Sequence, residues 1–189
     1  MTTIDLAGTS EPALAVRYTV EELAVIADLY ELDALPGLTP VELSDEARGL
    51  ATRTLLARDV LFIRDDDALE ITQPHATFLA ALFEAPVVVQ VSQVTSGETL
   101  TSAWFDWGDE CVGVHPEDGG TVYVAAYKGS ARDIVLASLH AINISTETKE
   151  VEVDLVVEIV TTTRNGDEFT VEHEALGRCD GQWYHVHRA

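Results

Sequence analysis

The chain has 189 residues, 33 of them acidic and 11 basic, for a formal net charge of -22. A polyphosphate or an anionic lipid surface is gripped by a clustered Lys/Arg face, so this balance excludes nucleic acid and membrane surfaces as partners. With 47% hydrophobic residues the chain can build a core, and disorder is not the source of the charge.

The length suits one domain or two small ones. No linker or low-complexity segment divides the chain. The expectation is a frayed tail over residues 1–12 and a single α+β domain over 13–189, mainly helical over 13–85 and mainly antiparallel sheet over 86–189. Such a chain buries roughly 70% of its unfolded surface and needs no covalent staple. Its two cysteines, Cys111 and Cys179, are far apart in sequence and read as reduced thiols of a cytoplasmic protein. The opening MTTIDLAGTSEP has no basic stretch leading into an apolar run, so it is not a secretory signal. No segment approaches the ~18 uninterrupted apolar residues of a membrane span.

In chain order, ALAVRY reads as a short strand from Ala13 to Tyr18. Thr19 and Glu22 then have the spacing of a capping box. Leu23, Ile26, Leu29 and Tyr30 follow at helical spacing, which predicts a helix over 20–31, stopped by LPGL. Thr39 and Glu42 repeat the capping pattern, with Pro40 at the tolerated first helical position. The second helix is expected to turn Leu43, Ala47, Leu50 and Leu55 inward, with Ser44 and Gly49 as places where it breaks. Two apolar runs around Asp65, Asp66 and Asp67 predict a hairpin with an acidic tip. Pro74 opens a third helix with Phe78, Leu79, Leu82 and Phe83 on its buried side. Helix, helix, hairpin, helix has the order of a winged-helix module, but three aspartates at the tip would be repelled by phosphate.

From Pro86 the pattern turns to strands: PVVVQV, LTSAWFDWG, ECVGVH and GTVYVAAY. Ser130 caps a fourth helix bearing Ile134, Leu136, Leu139 and Ile142. The remainder reads as an antiparallel meander with two-residue turns at Asn165-Gly166 and Asp180-Gly181, the strongest short-range hairpin signals. That register places Glu158 opposite His173 and His173 opposite Arg188. On the other face it puts Glu174 opposite His187, with His185 beside it, a combination that suits a divalent metal or acid–base chemistry. Opposite charges paired across a solvated sheet are commonplace, however, and a third convincing ligand is missing.

Asp109, Cys111 and His115 suggest a nucleophile, but the acidic surroundings oppose a thiolate. No phosphate-binding glycine loop, G-x-S-x-G elbow or H-E-x-x-H is present. Trp104, Phe105 and Trp107 crowd the end of one strand. Neighbours on a strand point to opposite faces, so either both faces are covered by other elements or one aromatic is offered to a partner. Interface hot spots are rich in aromatics, and these three are the candidate partner-binding residues.

The stretches VRYTVEELAVIADLYELDALPGL, ARGLATRTLLARDVLFIRDDDALEI and PHATFLAALFEAPVVVQV lie within residues 14 to 142. Together with the meander and amphipathic helix that follow, they resemble one half of an EspG-type chaperone of type VII secretion. That family carries two such halves about a pseudo-two-fold axis, and this chain shows one. The resemblance implies a non-enzymatic cytoplasmic protein that binds other chains, a secreted partner among them. It implies further that a single half completes itself as a homodimer. The function expected is therefore protein binding without a cofactor. The alternatives are a metal- or small-molecule-binding, or enzymatic, domain working through His185, His187 and Glu174, and a winged-helix regulator for which Arg48, Arg53 and Arg58 supply the only basic candidates.

Overall fold

A computed structural model describes residues 12–73, 75–95, 98–117, 119–139, 144–145, 155–166, 168–180 and 182–186. Residues 1–11 of the expected tail and the positions of Pro74, Ile142, Gly181, His187 and Arg188 lie outside them. The fold is α+β. One nine-stranded sheet has the order β1-β7-β6-β5-β4-β9-β10-β11-β8. These strands are β1 (Leu14–Thr19), β4 (Val87–Thr95), β5 (Glu98–Asp106), β6 (Glu110–Glu117), β7 (Thr121–Lys128), β8 (Ile144–Ser145), β9 (Leu155–Asn165), β10 (Glu168–Cys179) and β11 (Gln182–His185). All neighbours are antiparallel except β11 and β8. The hairpin around the three aspartates is a separate two-stranded sheet, β2 (Leu61–Ile63) with β3 (Leu69–Ile71). Four helices complete the described fold: α1 (Val20–Leu29), α2 (Asp45–Ala57), α3 (His75–Glu84) and α4 (Ala131–Ser138).

The start of α1 follows from its sequence. Thr19 Oγ1 accepts the Glu22 amide at 3.2 Å, and Glu22 Oε2 accepts the Thr19 amide at 2.9 Å. This reciprocal cap satisfies two amides that a helix start leaves unpaired. The second helix begins later than Pro40 predicts. Ser44 is its cap, accepting from the Ala47 amide at 3.2 Å, with Asp45 and Glu46 favourably placed in the first turn. It runs unbroken through Gly49 and buries Ala51 and Leu55, while Leu50 points to solvent. The loop between α1 and α2 lies directly on the sheet. Gly37, at φ +80°, passes so close that a Cβ there would sit 2.6 Å from the Ala103 Cβ, which only glycine permits.

The sheet carries a core on each face. On one, α1, α2 and α3 pack over Phe105, Ala103, Val112, Val114, Val122 and Val124. On the other, α4 packs with Trp104, Val89, Val91, Tyr127, Val157, Ile159, Leu176 and Trp183. Ser130 caps α4 by accepting the Asp133 amide, and buried Asp106 on β5 takes the Ala131 amide at 2.6 Å, so the sheet itself holds the helix start. At the other end of α4 the Trp183 indole donates to the Leu139 carbonyl at 3.0 Å.

The Asp180-Gly181 hairpin keeps the register its turn predicts, with Cys179 opposite Gln182. The β9–β10 hairpin does not. Its flanking pair is Asn165 and Glu168, so the turn begins one residue later, at Gly166 with φ +67°. The pairing shifts by two residues: His173 faces Val160, and Glu158 faces Ala175. A two-residue shift preserves which face each side chain occupies but changes every partner.

Candidate functional site

Trp104 and Phe105 are both buried in the chain's own cores, Trp104 under α4 and Phe105 under the α1–α3 layer. Helices cover both faces of β5 here, so neither residue is offered to a partner. This corrects their assignment to a binding surface. Trp107 alone is accessible, at 37%. With Tyr30 and residues of α3, including Ala76, Ala80 and Glu84, it lines a surface groove.

Cys111 and His115 lie on the same face of β6, but four residues apart on a strand is about 13 Å, too far for a proton transfer between them. Burial and the neighbouring Asp106 push the Cys111 thiol up to about 12, which suppresses the thiolate that nucleophilic chemistry needs. His115 is wedged edge-on against Trp104, ring centroids 4.6 Å apart, and beside Tyr123. Its ring occupies the space above Gly113, where a Cβ would stand 2.3 Å from Nε2.

On the α4 side of the sheet, Glu174 receives Arg132 at 3.3 Å and lies 3.6 Å from His185 Nδ1. His187, the third member of the expected cluster, is outside the described residues. Among the described residues no three His, Cys, Asp or Glu side chains come together as a metal site. A small apolar cavity of about 190 Å³ lies between α1, the α1–α2 loop and the β6–β7 turn, below the roughly 300–1,000 Å³ usual for a small-molecule site.

The arginines of α2 make no basic stripe. Arg48 pairs with Asp28 on α1, and Arg58 with Glu22. Their partners come from α1 rather than from the acids beside them in sequence. Arg58 belongs to a polar network that sequence reading missed. Its guanidinium donates to both oxygens of buried Glu22 and, at 2.6 Å, to the Arg17 carbonyl, and lies over the ring of Tyr18. The Tyr18 hydroxyl meets His75 Nδ1 at 2.9 Å. Burial raises the Tyr18 phenol to about 12 and lowers His75, which faces Arg58 as well. The network ties β1, α1, the end of α2 and the start of α3 together. Only the Thr19–Glu22 spacing hinted at it.

An unexpected exposed surface lies on β9 and β10. On the face that α1–α3 cover elsewhere, β10 presents Phe169, Val171 and His173, paired with Arg164, Thr162 and Val160 of β9. Phe169 is 66% exposed and Val171 51%. Among the described residues, none from β9 or β10 enters the core on that side. A groove of about 380 Å³ opens there, lined by Glu158, Ile159, Val160, His173, Glu174, Ala175 and Val186. The acids of the same strand, Glu168, Glu172 and Glu174, alternate onto the opposite face.

No described helix is long and apolar enough to cross a membrane. No protein-family model and no curated protein matches the sequence. Among solved structures, the fold is similar to that of the Mycobacterium tuberculosis type VII secretion system chaperone EspG5 in complex with a PE25-PPE41 dimer. The TM-score is 0.62 at 9% sequence identity, over 90% of this chain and 85% of that chain. The likeness therefore extends past the expected residues 14 to 142 and past one half of the neighbour. At this identity it is a likeness of fold: the chain is built on the same α+β plan as a secretion chaperone.

Proposed function

We propose that this chain is a non-enzymatic, chaperone-like binding module of the cytoplasm that acts by holding another polypeptide, a secreted one in the fullest form of the reading. The observation that carries this is the face of the β9–β10 hairpin. In a molecule of net charge -22 it gathers exposed apolar side chains while the strand's acids point away. Exposed apolar patches rimmed by polar residues mark interaction sites on soluble proteins. The fold likeness to a chaperone seen with a protein dimer supports the same reading. Affinity purification of the tagged chain from its native cells tests it. A stoichiometric polypeptide should be retained at high salt, because apolar contact is not screened as ion pairs are. A chain that emerges alone at every salt concentration would overturn the proposal.

A homodimer is the second part of the reading, supported by the first half of β1, which is outermost in the sheet order of the described residues; beyond it Arg58 already holds the Arg17 carbonyl and Glu22 the Thr19 amide. An outermost strand is a template for two-fold pairing. Light scattering should then return twice 20.5 kDa; a mass of one chain at micromolar concentration removes this part and leaves the first intact.

A further inference from the structure

The alternation along β10 is that of a strand with one buried face: Glu168, Thr170, Glu172 and Glu174 on one side, Phe169, Val171, His173 and Ala175 on the other. Yet among the described residues no element covers the apolar side. Its neighbours on the same face are Arg164, Thr162, Val160 and Glu158 of β9, Gln90 of β4 and Val186 beyond Ala175. Among the described residues the face holds one carboxylate, Glu158, and one guanidinium, Arg164, in a chain with three acids for every base. Charge has been kept off it.

We infer that the occupant of this face is an amphipathic α-helix of the partner chain, bearing an apolar stripe with little net charge. The inference rests on the protein-binding reading above and specifies its site and partner. Three observations select a helix. First, β4, β9 and β10 are interior strands, with a neighbour on each side. A partner strand has no ladder to join here, so contact must come through side chains. Second, this is the face on which α1–α3 form the helical layer over Phe105, Val112 and Val124. A helix on β9 and β10 continues that layer, and helix-on-sheet is the ordinary way to bury such a face. Third, the dimensions agree. From β4 to β11 is three strand spacings, about 14 Å, and from Phe169 to Ala175 about 20 Å. One helix is roughly 10–12 Å across and covers 20 Å in about 13 residues. The groove beside Val160, Ala175 and Val186 would take one side chain of its stripe. A second copy of this chain is the poorer fit on this face, since the edge proposed above for two-fold pairing is β1, on the far side of β4 from β9 and β10 in the sheet order.

The test places a photo-crosslinking phenylalanine at Phe169, Val171 or His173 in turn in the full chain within its native cells, with Thr170 on the opposite face as control. The expected adducts form from 169, 171 and 173 and not from 170, and the captured residues of the partner lie three or four apart. The double substitution Phe169→Ser, Val171→Ser, at exposed positions, should cut retention of that partner at least tenfold while the melting temperature stays within a few degrees. Captured residues at alternating spacing, or adducts between two copies of this chain, overturn the helix. Adducts from 170 alone, or a retained partner with no adduct from this face, overturn the site and leave the protein-binding reading standing. If no polypeptide is retained at all, both fall.

Discussion

The Arg58 guanidinium donates to both carboxylate oxygens of Glu22, at 2.8 and 2.9 Å, and Glu22 is 99% shielded from solvent while also capping α1. One side chain therefore closes a helix and neutralises an arginine that reaches it from the end of α2. Removing one member of a buried pair leaves an uncompensated charge, at a cost of about 3–5 kcal/mol for full burial. Arg58 is 36% exposed at its side chain, which water partly screens, so Arg58→Ala should cost about 2–3 kcal/mol. Urea denaturation checks this. An Arg58→Ala midpoint equal to that of the unsubstituted chain would show the pair to be incidental.

Gly113 gives the His115 ring its place between Trp104 and Tyr123. Gly113→Ala should destabilise by about 1–3 kcal/mol through overpacking. The cost should shrink when His115→Ala is combined with it, because the clashing ring is gone. A double-mutant cycle that is additive would separate the two residues.

His75 is held below its usual 6.5 by burial and by Arg58. A histidine with a lowered folded pKa keeps its full contribution at neutral pH. That contribution falls as pH drops below the unfolded value, where the unfolded state binds the proton first. Protonation would also turn the Nδ1 facing Tyr18 into a donor and add a charge beside Arg58 at the start of α3. The stability difference between the unsubstituted chain and His75→Gln should therefore narrow between pH 7.5 and pH 5.5. A difference that widens on acidification would refute the sign.

Cys111 should resist alkylation at pH 8 in the folded chain, with its thiol at about 12 and its side chain buried, whereas half-buried Cys179 should react. Thiol titration is expected to give one fast group when folded and two in guanidinium. Two fast groups in the folded chain would contradict the packing around Asp106.

Much of the fold could be read in advance because its signals are local. The caps at Thr19 and Ser130, the apolar faces of α1, α3 and α4 and the Asp180-Gly181 turn each depend on a few neighbouring residues. The misreadings come from competition between local signals or from distance. Thr39 and Pro40 compete with Ser44 for the start of α2, and Ser44 wins because Asp45 and Glu46 follow it directly. Asn165-Gly166 resembles a complete turn, yet the ladder closes one residue later. The Glu22–Arg58 and Tyr18–His75 contacts span 36 and 57 residues and have no local signature. The aromatics were legible as a group; which helix would cover each was not. Phe169 and Val171 alternate with acids along β10, but their exposure appears only in the three-dimensional arrangement of the described residues.

Trp104 and Phe105 are consecutive on one strand and anchor separate cores on its two sides. A slide of β5 by a single position would exchange them, burying each large ring in a space shaped for the other. The centre of the molecule is therefore locked against sliding.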